Sequence, residues 1–497
     1  MVFSSFDFLF RFLPVFLFLY FICPERQRNL CLFVGSLVFY FYGSRQLPLY
    51  FLLLLLSMAV NFFIGRRIGR KWNGPERAVW LTIGIIYNLL WLMSFKYSAF
   101  FAENTNALLT YVGLSVQLPV LRPALPLGIS FYTFQAIAYL ADVYRKKIRS
   151  ESSLLRFGTW FTMFTQVTSG PITRYQEVRP QLLGRKLSLD RLETGLREFT
   201  IGLSLKVLLA NQLGGLWNQV NAIGYESIST PLAWMGIIAF SLQLYFDFYG
   251  YSLMAQGLGW ILGFQIPRNF AHPYQSLSMT EFWRRWHMTL GKWFKDYIYI
   301  PLGGNRRGTF IMVRNLLAVW LLTGFWHGAD WNFLLWGLLL FVLISLEKLG
   351  LGTLLNRFPA LGHIYMAFVI PLNWLVFAIS QPAQILIYLQ RLFPFFNAPG
   401  AYTWFAGDYL KYGQIYGLSL IAGLIFVTDL PRRIYNRYRT TFVTALGLVV
   451  LFWICIYCIK WEWMTHSYTS DSNDLESDFY DEKILVYYDA GRKSDRR

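Results

Sequence analysis

Charge is scarce in this 497-residue chain: Asp, Glu, Lys and Arg together make up 14% of it, where soluble domains carry roughly a quarter. That scarcity excludes a string of ordinary soluble domains. Acid is scarcer than base, with 27 Asp and Glu against 45 Lys and Arg and a net charge of +18. A nucleic-acid binder would gather such an excess on a soluble face. Here the basic residues fall between apolar runs, which argues against nucleic acid as a partner and for orientation in a membrane. Cysteine is confined to Cys23, Cys31, Cys455 and Cys458, in or beside apolar segments and without a histidine at zinc-ligand spacing, so no metal site is expected and they read as small core residues. No G-x-S-x-G elbow occurs, which disfavours an acyl-serine hydrolase. No repeat at a fixed period is visible, which weakens an inverted-repeat transporter. The first apolar run begins almost at Met1 with Arg11 inside it and lacks a basic leader and small-residue cleavage site, so it is expected to stay as an anchor.

What the chain has in abundance is apolar and aromatic residues, 55% and 19%. Candidate spans fall at 8–23, 29–43, 48–65, 78–96, 127–143, 198–215, 231–249, 312–327, 331–347, 363–380, 411–429 and 440–460. The expected fold is therefore an all-α polytopic membrane protein with about 11 or 12 transmembrane helices. Several spans are shorter than the roughly 20 residues a bilayer asks for, so half-helices are expected among them. Four basic clusters, Arg66 to Arg77, Arg145 to Arg149, Arg284 to Arg314 and Arg432 to Arg439, all fall on one side if the N-terminus is outside and the spans alternate. That parity requires Phe157 to Pro171 and Tyr251 to Phe264 not to cross. Both are expected to be re-entrant around a central funnel and tunnel, because non-helical backbone at membrane depth survives only against protein or a water-filled cavity. The membrane domain is expected over 1–464. The acidic stretch after Thr465 marks 465–497 as a polar, flexible tail.

Only five histidines occur, and His272, His287 and His327 sit in the densest polar stretch. His327 lies in Gly324-Phe325-Trp326-His327-Gly328, at the break between two spans. An ionisable residue there points to function, and imidazole suits proton transfer near neutrality; a histidine bonded within a helix turn is the plainer reading. Ser278 and Glu281 have capping-box spacing, so a helix is expected to carry Trp283, Trp286 and His287 on one face against Arg284 and Arg285. This is either a basic, Trp-rich interfacial helix or a cationic mouth for the phosphates of an anionic donor. Leu302-Gly303-Gly304-Asn305 adds a turn with amides for a phosphate, without Walker spacing. Asp247, between aromatics, either pairs with an arginine or is a helix-end charge.

These segments together resemble the membrane-bound O-acyltransferases, in the bacterial branch of the alginate O-acetylation proteins. The resemblance is carried by Leu125-Pro126-Leu127-Gly128-Ile129-Ser130-Phe131-Tyr132-Thr133-Phe134-Gln135, Ser169-Gly170-Pro171-Ile172, Phe246-Asp247-Phe248-Tyr249-Gly250-Tyr251-Ser252, Phe282-Trp283-Arg284-Arg285-Trp286-His287 and Trp326-His327-Gly328. It implies transfer of an acyl group, usually acetyl, from a cytoplasmic thioester, acyl-CoA or an acyl-carrier, across a bacterial inner membrane to an exported polysaccharide. It makes His327 the catalytic residue and His287 a second one. Arg284, Arg285 and Trp286 then border the donor site. No bound cofactor is expected, and the implied partners are membrane lipids and an extracytoplasmic acyltransferase. A teichoic-acid-type D-alanyl transferase with a carrier-protein donor is the nearest alternative, and a flippase or transporter the more distant one.

Overall fold

The computed structural model describes residues 2–70, 74–396 and 407–469. Lys71 of the first basic cluster and residues 470–497 of the expected tail lie outside them. Every regular element among the described residues is helical. Eight of the helices are long and apolar enough to cross a membrane, or nine if the bent pair Asp408–Phe426 and Leu430–Tyr438 is one span. This is a multi-pass membrane protein, and each of the twelve expected spans falls on a helix. The chain divides into two compact units, one of residues 1–196 with 255–267 and the other of residues 197–254 with 268–497.

The first unit is built on α1 (Leu13–Ile22), α2 (Arg28–Gly43), α3 (Pro48–Arg70), α4 (Glu76–Lys96), α5 (Ser98–Tyr111), α6 (Ile129–Tyr144), α7 (Leu154–Thr162), α8 (Phe164–Val167) and α9 (Tyr175–Leu183). The segment expected to be re-entrant is here a broken helix. Met163 leaves helical geometry at φ −48° and ψ 116°, separating α7 from α8. The backbone amide of Phe164, freed by the break, donates to Ser36 Oγ at 3.2 Å. The Phe164 ring is gripped by Phe16, Phe12 and Phe39 at centroid distances of 5.2, 5.5 and 5.6 Å. Irregular backbone is thus covered by protein, as membrane depth demands. Gly128, at φ 69°, lets the start of α6 approach the end of α8, since a Cβ there would run into the Val167 carbonyl oxygen. Buried Arg77, expected only as a cytoplasmic-side charge, donates to the carbonyls of Ile68 at 3.0 Å, Val143 at 3.0 Å and Tyr144 at 2.6 Å. It thereby ties the ends of α3 and α6, where carbonyls lack helical partners.

The second unit holds most of α10 (Leu189–Ser204), then α11 (Asn211–Ile223), most of α12 (Thr230–Ile261), α13 (Met279–Arg285), α14 (Met288–Phe294), α15 (Thr309–His327), α16 (Trp331–Leu346), α17 (Gly352–Arg357), α18 (Pro359–Ala378), α19 (Pro382–Leu392), α20 (Asp408–Phe426), α21 (Leu430–Tyr438) and α22 (Phe442–Thr469). One expectation is corrected here. Tyr251 to Phe264 is not a separate re-entrant piece, because α12 runs unbroken for 32 residues through Ile261. At 1.5 Å per residue such a helix is about 48 Å long, well beyond a hydrocarbon core of about 30 Å. One crossing therefore continues past the membrane edge, with no second fold-back needed. Cys455 and Cys458 stand one turn apart on α22, and all four cysteines are free thiols.

The α15–α16 hairpin sets the geometry that follows. Gly324 and Gly337 face each other, and a Cβ on either would meet the other helix's backbone, at the Phe333 or the Trp320 carbonyl. Small residues let membrane helices close to this distance.

Candidate active site

His327 is the last residue of α15, where the chain becomes extended at Gly328 before returning along α16 from Trp331. Gly328 is required for this return, because a side chain there would collide with the Phe333 ring. The imidazole is 5% exposed. Rings of Trp326, Trp336 and Phe377 surround it at 4.7, 5.0 and 5.3 Å between centroids, the last two nearly perpendicular to it. The helix therefore presents its C-terminal, partially negative end to the imidazole, inside an aromatic wall.

His287 is positioned differently. The Ser278 hydroxyl accepts the Glu281 amide at 3.2 Å, so α13 begins where the capping spacing predicts. Two amides of its first turn, Met279 and Thr280, donate at 2.7 Å each to the carboxylate of Glu347, which lies just beyond α16. But α13 ends at Arg285. Trp286 is extended and His287 takes a left-handed conformation at φ 41°, ψ 53°, so the expected single helical face of Trp283, Trp286 and His287 does not form. Non-glycine residues held in that conformation cluster at functional sites. The bend is held by the neighbouring strand of chain: Ala271 N donates to Arg285 O and Met288 N to Asn269 O, both at 2.9 Å.

The His287 ring is 1% exposed. It stands edge-on to Phe248 at 4.7 Å and faces Trp326 at 6.5 Å. Both histidines thus border the Trp326 ring, His327 as its neighbour in sequence and His287 from a distant part of the chain. His287 Nδ1 is 3.1 Å from Asn269 Oδ1, and its Nε2 is buried with no hydrogen-bond partner. Burial pushes the His287 pKa down to about 3, so the ring is neutral at physiological pH.

The other expected site residues separate. Trp286 is 3% exposed and belongs to the core, packed on Trp374, Phe270 and Phe282 at 5.0, 5.1 and 5.4 Å. Arg285 is occupied by Glu281 at 2.5 Å and by the His272 carbonyl at 3.4 Å. Arg284 is exposed. The amides of Gly303 and Gly304 are spent within their own turn, donating to Ile300 O and Tyr299 O at 3.0 and 2.9 Å, so neither glycine amide is open to a phosphate here. Asp247 pairs with neither an arginine nor a helix end. It meets Lys206 at 2.6 Å, on a wide π-turn between α10 and α11.

The sequence profile of the membrane-bound O-acyltransferase family matches residues 80–390. The chain belongs to that family. It is therefore a membrane-bound O-acyltransferase, and the flippase and transporter alternatives give way. The O-acyltransferase is 39% identical over 380 residues to the probable alginate O-acetylase of Pseudomonas putida, covering 76% of this chain and 77% of that one. It is 37% identical over 377 residues to the peptidoglycan O-acetyltransferase of Helicobacter pylori, covering 69% of each chain. Similarity to the teichoic acid D-alanyltransferase of Bacillus subtilis is lower, at 29% over 236 residues, covering 44% of this chain and 58% of that one.

Three residues that touch the two candidate histidines are not singled out by the sequence. Trp336 and Phe377, which wall His327, look like ordinary members of apolar runs. Asn269 stands 18 residues before the histidine it touches.

Proposed function

We propose that this O-acyltransferase moves an acetyl group from a cytoplasmic thioester, acyl-CoA or an acyl-carrier, to a hydroxyl on the far side of a bacterial inner membrane. The acetyl group is destined for an exported or cell-surface polysaccharide. The observation that carries the reading is His327: a buried imidazole at a helix C-terminus, walled by Trp326, Trp336 and Phe377, in a chain of this family. As general base, His327 takes the proton of the acceptor hydroxyl while its oxygen attacks the thioester carbonyl carbon. The carbon–sulfur bond breaks, the thiolate leaves, and the proton returns from the imidazolium to give the free thiol and the new ester. The helix C-terminus and the aromatic faces favour the positive charge on the ring during this exchange. No covalent enzyme intermediate is needed, and positioning in a dry site supplies much of the remaining rate.

The donor is a substrate, and no resident cofactor enters the scheme. Exposed Arg284 is the group suited to draw its phosphates, with paired Arg285 secondary and His287 orienting the thioester arm. An extracytoplasmic acyltransferase partner completes delivery to the polymer. Acetyl is favoured over D-alanyl by the higher identity and wider coverage of the O-acetylase relatives. The test is reconstitution of the purified chain with acetyl-CoA, D-alanyl-carrier or neither. Acetyl transfer dependent on His327 supports the reading, and D-alanyl transfer alone would replace it.

A further inference from the structure

The Asn269 side chain is oriented without ambiguity by the backbone. Its Oδ1 accepts the Thr289 amide at 3.3 Å and the Thr289 hydroxyl at 2.9 Å, while its Nδ2 donates to Ser252 Oγ at 3.3 Å. Since an amide N–H can only donate, the atom it meets is the oxygen. The same oxygen lies 3.1 Å from His287 Nδ1. An oxygen acceptor there requires the proton on Nδ1, which leaves Nε2 bare, and Nε2 is the buried ring nitrogen that has no partner. The ring cannot turn over to exchange its nitrogens without losing this bond, as it is fixed edge-on to Phe248 and by the left-handed backbone at His287.

We infer that Asn269 is a positioning residue that holds His287 in its Nδ1-protonated form, so that Nε2 is presented as an acceptor for a hydrogen-bond donor of the bound substrate. The inference rests on the acyl-transfer reading for its catalytic consequence, but the protonation pattern it specifies exists without substrate. A neutral His287, as burial dictates, has one acceptor nitrogen to offer, and Asn269 decides which.

The test is nitrogen NMR of the full chain in lipid nanodiscs with ¹⁵N-histidine, where five histidines give a tractable spectrum and His287→Gln identifies the signal of interest. The expected wild-type signal is that of a neutral ring protonated at Nδ1, unchanged across the range where free imidazole titrates. In Asn269→Leu that form gives way to Nε2–H or a mixture, and turnover falls about 100-fold with donor KM little changed. Asn269→Asp keeps the acceptor oxygen, so it retains the Nδ1–H form and recovers most of the turnover. Its carboxylate favours the imidazolium, moving the acid limb of the pH–rate profile upward. A wild-type ring protonated at Nε2 would overturn the inference even if no variant folds. So would an Asn269→Leu protein whose tautomer is unchanged, or whose tautomer changes while turnover does not. Failure of the acyl-transfer reading is separate: it is read from the absence of acyl transfer by the wild-type protein and leaves the wild-type spectrum as it is.

Discussion

Two buried polar centres in this molecule are built on opposite principles. At Glu151, in the first unit, a carboxylate 1% exposed at its side chain is saturated. It accepts from the amides of Ser152 and Ser153 at 2.9 and 2.8 Å, from Arg156 at 2.6 Å and from the Tyr175 hydroxyl. At His287, in the second unit, an equally buried ring has one nitrogen bonded and the other bare. A leftover buried lone pair costs free energy unless something arrives to use it, whereas a closed network is complete without a ligand. The contrast separates a closed scaffold centre from an open one on physical grounds: Glu151 pins the start of the broken helix α7, while the acceptor nitrogen of His287 is left unused within the protein.

The largest effect expected is on chemistry alone. His327→Ala should lower acyl transfer by about 1,000-fold, the scale of general-base loss, with thermal unfolding in detergent nearly unchanged. A variant that loses both together would make His327 a structural residue and erase the contrast with Glu151. The converse substitution, Glu151→Gln, strands the Arg156 guanidinium and should cost about 3 kcal/mol of stability. Activity at temperatures where the variant is still folded should stay near wild type.

Acid should separate the two centres by where stability is lost. Burial alone would raise the Glu151 pKa, but hydrogen bonds from Arg156, Tyr175 and Ser153 overcome it and bring it down to about 2, from an ordinary 4.5. A depressed carboxyl confers stability that is whole above 4.5 and drains as pH falls through 2. His287 is depressed from 6.5 to about 3 by burial. The unfolded chain takes up that proton and the folded chain refuses it, so stability already begins to fall as pH drops below 6.5. His287→Gln should flatten the acid unfolding curve from 6.5 down to about 3, and Glu151→Gln from 4.5 down to about 2, so above 4.5 only the histidine variant departs from wild type and below 3 only the glutamate variant does. Identical curves for the two would dissolve the distinction.

The division between what was readable in the chain and what was not follows the same line. Spans are readable because lipid demands long apolar runs whatever lies next to them, and each expected span does fall on a helix. The misjudged segment, Tyr251 to Phe264, failed because charge parity constrains crossings and says nothing of whether a helix simply continues. His327 and His287 stood out because imidazole is rare here and polar residues in apolar surroundings are conspicuous. The bend at His287 was hidden: helical spacing through Arg285 extrapolates smoothly, and the halt depends on backbone bonds from residues 269 and 271. Trp286 misled for a related reason, since composition cannot tell an interfacial tryptophan from one packed between Trp374 and Phe270.

A smaller effect is expected at Glu347, which lies between the two extremes. Its carboxylate is as buried as Glu151 and bonded to Met279 N, Thr280 N and Tyr365, the last at 3.1 Å. Yet what it secures is the helix leading into His287. Glu347→Gln keeps an acceptor oxygen but loses charge-assisted bonding at a helix N-terminus, a cost of about 1–2 kcal/mol. Transfer activity should drop several-fold with little change in donor KM, measured beside thermal unfolding. Unchanged activity at that cost would place Glu347 wholly with the scaffold.

The smallest effect is expected at the arginines, and it is asymmetric. Arg285 already has a carboxylate at 2.5 Å from Glu281, so a phosphate approaching it must compete with a neighbour one helical turn away. Arg284 is exposed on the same short helix and lies within electrostatic reach of Lys348. A cation beside a second cation is a better anion receiver than one beside its own counter-ion. Arg284→Ala should therefore raise the acetyl-CoA KM by about 3-fold, most visibly at low salt, with kcat unchanged. Arg285→Ala should raise it less, because the Arg285 guanidinium is already engaged by Glu281 and has less to give a phosphate. Equal KM changes at both positions, insensitive to salt, would mean that α13 anchors the protein and does not receive the donor.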